Sequence, residues 1–312
     1  MIKLSIIVTA FNEELNVKPL LNNIFKAIRD VSYEIIYVDD GSTDNTAKEV
    51  KSFEDKRIKL IELKKNYGQS SALATGIEYA KGEFIVLMDG DLQNDPSDIP
   101  MMLQKIENEN LDLVTGIRVD RKDDILMRKI PSNIANFIIR SFTGIKIKDL
   151  GCTLKIFKNS VAKNIMLYGE LHRFIPVLAH IQGATISQVK VKHHARKYGK
   201  SKYGINRTFK VISDLLLVLF FERYMKKPMH LFGTLGLIIL LTGIIIDFYL
   251  LFMKIAGNDI WGKPLLILGV LLTIGGIQII TIGIVAELII RINLKSNNKK
   301  SYRIKNIYVG KN

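Results

Sequence analysis

A chain of 312 residues, 48% hydrophobic and 24% charged, holds enough apolar material for one large domain and a smaller second part. Its formal charge of +15 points to anionic partners: nucleic acid, anionic lipid or a phosphorylated substrate. The single cysteine, Cys152, excludes a disulfide framework and a cysteine-built zinc site, and it fits a reducing compartment.

From the N-terminus, LSIIVT at 4–9 reads as a strand, followed by a helical pattern across 15–28. No signal peptide is expected, because the apolar run after Lys3 is short and soon meets Asn12, Glu13 and Glu14. A second strand, YEIIYVD at 33–39, precedes a helix from about Thr43, and a third, IKLIEL at 58–63, precedes one from about Gln69. The run FIVLM at 84–88 has the pattern of a strand buried on both faces. Strands alternating with helices predict an α/β domain built on a parallel sheet. Neither G-x-G-x-x-G nor G-x-x-x-x-G-K-[ST] occurs, so the common dinucleotide and NTPase phosphate loops are missing.

Asp89, Gly90 and Asp91 close the fourth strand, where open α/β sheets place their ligands. Two carboxylates so near repel each other and favour a hard divalent cation with oxygen ligands, Mg²⁺ or Mn²⁺. Gly90 removes a side chain that would keep a diphosphate from the backbone. Taken alone, an Asp-x-Asp is also what a polar turn after a strand looks like.

Residues 205–227 carry the apolar run 215–221 between Arg207, Lys210, Arg223 and Lys226. The run is too short to span a bilayer and suits a helix lying at the headgroup boundary, or an ordinary core helix. Two longer stretches follow, 231–253, apolar but for Asp247, and 265–290, apolar but for Glu287. Each is long enough to cross a bilayer, which takes about 20 residues. The connecting loop holds Lys254 and Lys263, whereas Arg223, Lys226 and Lys227 on one side and Arg291, Lys295 and Lys299 on the other crowd the outer flanks. The positive-inside rule then places both ends in the cytosol and the hairpin tip outside. The expected organisation is a cytosolic catalytic domain at 1–204, a juxtamembrane helix at 205–229, a transmembrane hairpin at 230–291 and a basic tail at 292–312. That arrangement corresponds to a multi-pass protein of the cell membrane.

Three motifs taken together carry a resemblance. Thr9-Ala10-Phe11-Asn12-Glu13-Glu14 follows the first strand, Val38-Asp39-Asp40-Gly41-Ser42-Thr43-Asp44 the second, and Asp89-Gly90-Asp91-Leu92-Gln93 the fourth. In this order the chain resembles glycosyltransferase family 2, inverting enzymes of the GT-A fold that use nucleotide sugars. Asp149-Leu150-Gly151-Cys152, Leu171-His172-Arg173-Phe174-Ile175-Pro176 and the stretch from Arg196 to Gly204 look like the polyprenyl-phosphate glycosyltransferases, which include dolichol-phosphate mannose synthases and bactoprenol glucosyltransferases.

The resemblance implies roles. Phe11, Glu13, Asp39 and Gly90 would bind the donor, with Asp39 accepting hydrogen bonds from the base. Asp91 would be a direct metal ligand, Asp89 would hold metal or ribose, and Asp149 would orient groups near the reaction centre. Gln93, Arg118, Arg128 and Ser132 would meet the acceptor phosphate, where arginine suits bidentate binding. Arg196 and Lys202 would belong to a lid that offsets charge on the departing diphosphate. A monoalkyl phosphate has its second pKa near ~6, so it attacks as a dianion and needs no strong general base. His193 and His194 have no partner at zinc-ligand spacing.

The implied reaction moves one hexose from a nucleotide sugar to polyprenyl phosphate, UDP-glucose ahead of GDP-mannose as donor. A processive polysaccharide synthase would carry a Gln-x-x-Arg-Trp motif, but the lone tryptophan, Trp261, falls in the hairpin loop. A non-catalytic scaffold of the same fold would be expected to lose Asp91 or the lid. A nucleic-acid binder would place its basic residues on a reading helix, whereas here they flank a bilayer segment. The polyprenol and any homo-oligomer stay open.

Overall fold

The computed structural model describes residues 2–118, 145, 147–167, 169–198 and 228–296. Its compact units are 1–219 and 220–312. In the first, strands β1 (Leu4–Ala10), β2 (Tyr33–Asp39), β3 (Ile58–Glu62), β4 (Phe84–Asp89), β5 (Leu113–Arg118), β6 (Lys155–Lys158) and β7 (Ile186–Val191) form one sheet in the order β3-β2-β1-β4-β6-β5-β7. Helices α1 (Glu14–Ala27), α2 (Thr46–Lys51), α3 (Gln69–Tyr79) and α4 (Ile99–Asn108) connect the strands, with a shorter helix at Ile175–Ile181.

Strand periodicity explains the layers. Leu4, Ile6 and Val8 of β1, with Ile35 and Tyr37 of β2 and Val86 and Met88 of β4, pack against Val17, Leu20, Leu21 and Ile24 of α1 and Met102 and Ile106 of α4. The alternate residues, Ile7, Ile36, Val38, Ile85 and Leu87, pack against Ala72, Leu73 and Ile77 of α3 and Ile175. Side chains two apart share a face, so strands buried on both sides read as unbroken apolar runs. Truncating a side chain such as Leu20, which is fully buried, to alanine costs about 2–5 kcal/mol.

The sheet is mixed rather than wholly parallel. β1, β2, β3 and β4 run together, while β6 lies antiparallel to both β4 and β5. After β3 the chain returns to the far side of β1, so the strand order reverses between β1 and β4. That switch point opens a crevice at the carboxyl edge. The register aligns the edge, with Ala10 opposite Asp39 and Thr9 opposite Asp89.

The second unit contains two helices, Pro228–Ile255 and Pro264–Ser296, whose segments Pro228–Ile255 and Pro264–Ile290 are each long and apolar enough to cross a membrane. Their apolar side chains point outward, as at Ile245, Phe248, Phe252, Ile267 and Leu271. A soluble bundle does the reverse. Gly236, Gly243 and Gly276 leave no room for a Cβ against the facing helix, as small residues do where helices approach closely. Asp247 accepts a hydrogen bond of 2.8 Å from Thr273 Oγ1. The expected juxtamembrane helix and most of the basic tail lie outside the described residues, as do Arg128, Ser132 and Lys202.

Candidate active site

The segments after β1 and β2 are laced together before any ligand arrives. Asn12 donates its amide to Ser42 Oγ at 2.8 Å, and its own Oδ1 accepts from the Thr43 amide at 2.8 Å. The Glu13 amide donates to Thr46 Oγ1 at 2.9 Å and the Glu14 amide to Asp44 at 3.2 Å. Asp44 also accepts from the Thr46 amide at 2.9 Å and hydroxyl at 2.5 Å. Burial pushes the Asp44 carboxyl up, but these donors outweigh it and hold the group below its ordinary range. Asn12 adopts φ +54°, a left-handed conformation that asparagine tolerates better than most residues.

Asp39 sits 3% exposed at the end of β2, where its Oδ1 accepts from the Ser42 amide at 3.0 Å and from the Ser42 hydroxyl. Asp40 turns the other way, accepting the Tyr67 and Gly68 amides at 2.8 and 2.9 Å. Burial raises the Asp40 carboxyl despite those two amides. Gly41, at φ +72°, lets this turn press on the backbone of Lys65 and Asn66, where a Cβ would collide. Asp40 thereby ties the β3–α3 connection to the crevice. Phe11, half-buried, stands just past the end of β1.

Asp89 ends β4 and accepts a 2.6 Å hydrogen bond from Gln69 Nε2, at the first turn of α3. Burial raises its carboxyl well above the usual range, and repulsion from Asp91 adds to this. Thr153, Lys155 and Arg118 pull the other way. Asp91, 8% exposed, accepts the Gln93 amide at 3.1 Å. Between them, a Cβ on Gly90 would press on Ala10 and the Thr9 carbonyl at 3.0 and 3.1 Å, a tight fit where β4 crowds β1. Asn94 Oδ1 accepts from the Asp89 amide at 3.2 Å and the Thr153 hydroxyl at 3.0 Å.

Arg196 joins the motifs. Its Nη2 lies 2.7 Å from Glu13 Oε1 and 3.2 Å from Asp91 Oδ2. Burial disfavours its charge, but the two carboxylates outweigh that and hold the guanidinium firmly protonated. Glu13 is fixed from behind by Asn16 Nδ2 at 2.6 Å. The segment bearing Arg196 is anchored beside the Asp-x-Asp: Asn94 bridges His193, the His194 amide donates to the Gln93 carbonyl at 2.9 Å, and His194 Nε2 lies 3.0 Å from Asp95. Carboxylates from two motifs thus meet around one cation supplied by a third. Among the described residues no three carboxylate, histidine or cysteine side chains cluster to hold a metal ion by themselves, and the cation between Glu13 and Asp91 is the Arg196 guanidinium.

Arg118 and Asp149, given separate roles from sequence, are partners. Arg118 Nε and Nη2 reach Asp149 Oδ2 and Oδ1 at 2.8 and 2.9 Å, a two-point fork. Asp149 also accepts the Gly151 amide at 3.0 Å. The pair stands at the carboxyl end of β5, on the same edge as Asp89. His172 bonds Ser70 at 2.9 Å, holding the 171–174 turn against the start of α3.

Sequence reasoning assigned no role to Asp40, Gln69, Asn94, Thr153 or Lys155. Asp40 stood in a quoted motif beside Asp39. Gln69 and Asn94 act through contacts distant in sequence, which no spacing rule detects. Lys155 is one of two lysines in KIFK, and only the packed sheet shows that it is the fully buried one.

A family model described as Glycosyl transferase family 2 matches residues 5–166. The dodecaprenyl-phosphate galacturonate synthase of Rhizobium johnstonii is 45% identical over 98% of this chain and 93% of its own length. The undecaprenyl-phosphate 4-deoxy-4-formamido-L-arabinose transferase of Proteus mirabilis is 32% identical over 93% of this chain and 89% of its own. Among solved structures, glucosyl-3-phosphoglycerate synthase from Mycobacterium tuberculosis with Mn²⁺ and UDP-glucose matches with TM-score 0.55 at 16% identity, over 70% of this chain and 79% of that one. That last likeness is one of fold.

Proposed function

The chain belongs to glycosyltransferase family 2, and we propose that it transfers one sugar from a nucleoside diphosphate sugar to polyprenyl phosphate at a membrane surface. The observation that carries the reading is the meeting of Glu13, Asp91 and Arg196 at the β1/β4 switch point. Support for the acceptor comes from relatives named for dodecaprenyl and undecaprenyl phosphate and from the two membrane-length helices. For the sugar, the glucose and mannose favoured by the sequence resemblance find no support among these relatives. A hexuronate is the better assignment, because the 45% identical relative is named for galacturonate.

In this reading Asp39 receives the base and the Phe11–Glu13 turn frames the nucleoside. Asp91 and Asp89 would hold Mg²⁺ or Mn²⁺, which when bound neutralises charge on the diphosphate. Arg196, already at that pole, shifts its charge toward the leaving diphosphate, and Lys202 would share that role. Arg118, held by Asp149, would contact the acceptor phosphate, with Gln93, Arg128 and Ser132 as further candidates. A phosphate oxygen bonds to the anomeric carbon as the bond to the diphosphate breaks, and the electron pair leaves with the nucleoside diphosphate. Configuration at that carbon inverts. The acceptor arrives as a dianion, so no carboxylate has to remove a proton. In this reading the catalytic domain and both ends are cytosolic.

The test is transfer of radiolabel from nucleoside diphosphate sugars into organic-extractable lipid, using detergent-solubilised enzyme and undecaprenyl or dolichyl phosphate. Label from a uronate donor should enter a lipid with one sugar per phosphate. Label that stays water-soluble with every donor and both lipids would refute the reading.

A further inference from the structure

Lys155 occupies the centre of the acidic edge from beneath. It is 2% exposed, and its register partners are Leu87 on β4 and Thr115 on β5. Paired residues share a face, as do residues two apart on one strand. Lys155 and Asp89 therefore project on the same side of the sheet, with Asp89 one step nearer the carboxyl edge. The ammonium donates to the Cys152 carbonyl and feels the nearby carboxylates of Asp149 and Asp89. Cys152 is the middle of a turn with two working arms. On one side Gly151 and Asp149 hold the Arg118 fork. On the other, Thr153 grips Asn94, which in turn receives the Asp89 amide.

Burying an ammonium costs stability, and an apolar side chain of similar volume in its place is often neutral or stabilising. If Lys155 only filled space, methionine would serve as well or better. Resting on the transfer reading above, we propose that Lys155 is a positioning residue: it pins the 149–153 segment through the Cys152 carbonyl. Both arms then keep their register. Asp149 continues to aim Arg118, and Asp89 stays aimed into the crevice beside its like-charged neighbour.

The experiment compares Lys155→Met and Lys155→Arg with the parent full-length enzyme in detergent, by steady-state transfer, thermal unfolding and amide hydrogen exchange. Lys155→Met should keep or raise the unfolding temperature and speed exchange selectively over 149–154. Its kcat should fall roughly 10- to 100-fold, the scale of about 1 Å of misplacement in a site, while donor KM moves less than about threefold. Arginine, which keeps charge and donors, should recover part of kcat. Parental kcat and parental exchange in Lys155→Met would overturn the proposal, as would lowered stability with exchange raised throughout the domain. Should the methionine variant fail to fold, Lys155→Gln takes its place: local loss with arginine near parental supports the role, and two parental variants overturn it. A parent that transfers no sugar to lipid sinks the functional reading instead, and the exchange data still decide whether Lys155 pins the turn.

Discussion

Arg196→Ala removes the guanidinium shared by Glu13 and Asp91. In the parent this cation contacts both carboxylates at 2.7 and 3.2 Å, with its side chain 21% exposed and theirs 7% and 11%. Hydrogen bonds to charged partners are worth ~1.5–3 kcal/mol, and partial solvent access puts this pair near the lower end, about 2 kcal/mol in all. For a domain of this size, that loss lowers the melting temperature by roughly 4–8 °C. In transfer, the same range corresponds to a fall in kcat/KM of about 10- to 100-fold. The metal response should go the other way. Without a competing cation the two carboxylates are left with unbalanced charge, so saturating Mn²⁺ should raise the melting temperature of Arg196→Ala by more than it raises that of the parent. Lysine at this position should recover only part, because it keeps charge and loses the planar guanidinium with its larger set of donors. Thermal unfolding with and without Mn²⁺ and nucleoside diphosphate, beside transfer kinetics, reads all of this. An unchanged melting temperature in the apo variant, together with equal Mn²⁺ increments in variant and parent, would refute the idea that these carboxylates hold Arg196.

Asp91→Asn should abolish nearly all transfer while leaving circular dichroism unchanged, and EDTA should do the same to the parent until Mg²⁺ or Mn²⁺ is restored; full activity in EDTA would remove the metal from the reading. Asp44→Asn should destabilise the domain by about 1 kcal/mol at neutral pH, since a charged acceptor for Thr46 and Glu14 is lost. Because the folded Asp44 carboxyl is depressed, its contribution is present above the ordinary carboxylate pKa and lost as pH falls through the folded value. Urea melts of parent and variant should therefore converge in acid, and a gap that stayed constant with pH would contradict the assignment. A cysteine placed at Asn258 should label from outside intact cells and one at Asn297 should not, while Cys152, fully buried, stays protected; reversed labelling would overturn the cytosolic placement of the site.

Much of this protein was legible in its residues. β1, β2 and β4 are buried on both faces, so their sequences are largely apolar runs that declare themselves; β2 and β4 end in aspartates, and Glu13 follows the end of β1 by three residues. The two apolar helices are equally plain, because bilayer-length hydrophobic runs have few other uses. Those are local properties, set by side-chain chemistry along consecutive residues. β5, β6 and β7 were not read as strands. β6 is four residues long with lysine at both ends, and β7 is half-exposed, so neither shows the clean alternation or continuous run that marks a strand. The antiparallel insertion of β6 follows from pairing across the chain, which no window of sequence contains.

The site divides the same way. Asp89, Asp91, Asp39 and Glu13 were marked by their positions after strands, where the fold puts ligands. That Arg196 closes on Glu13 and Asp91, residues more than a hundred positions away, required the chain to return beside Asn94 through the His193 bridge. That Arg118 and Asp149 are one fork, and that Lys155 lies under the acidic edge, required β5 and β6 to be laid beside β4. Charge type is written in the sequence. Which charges neutralise one another depends on distances of a few ångströms, and only the packed sheet sets those.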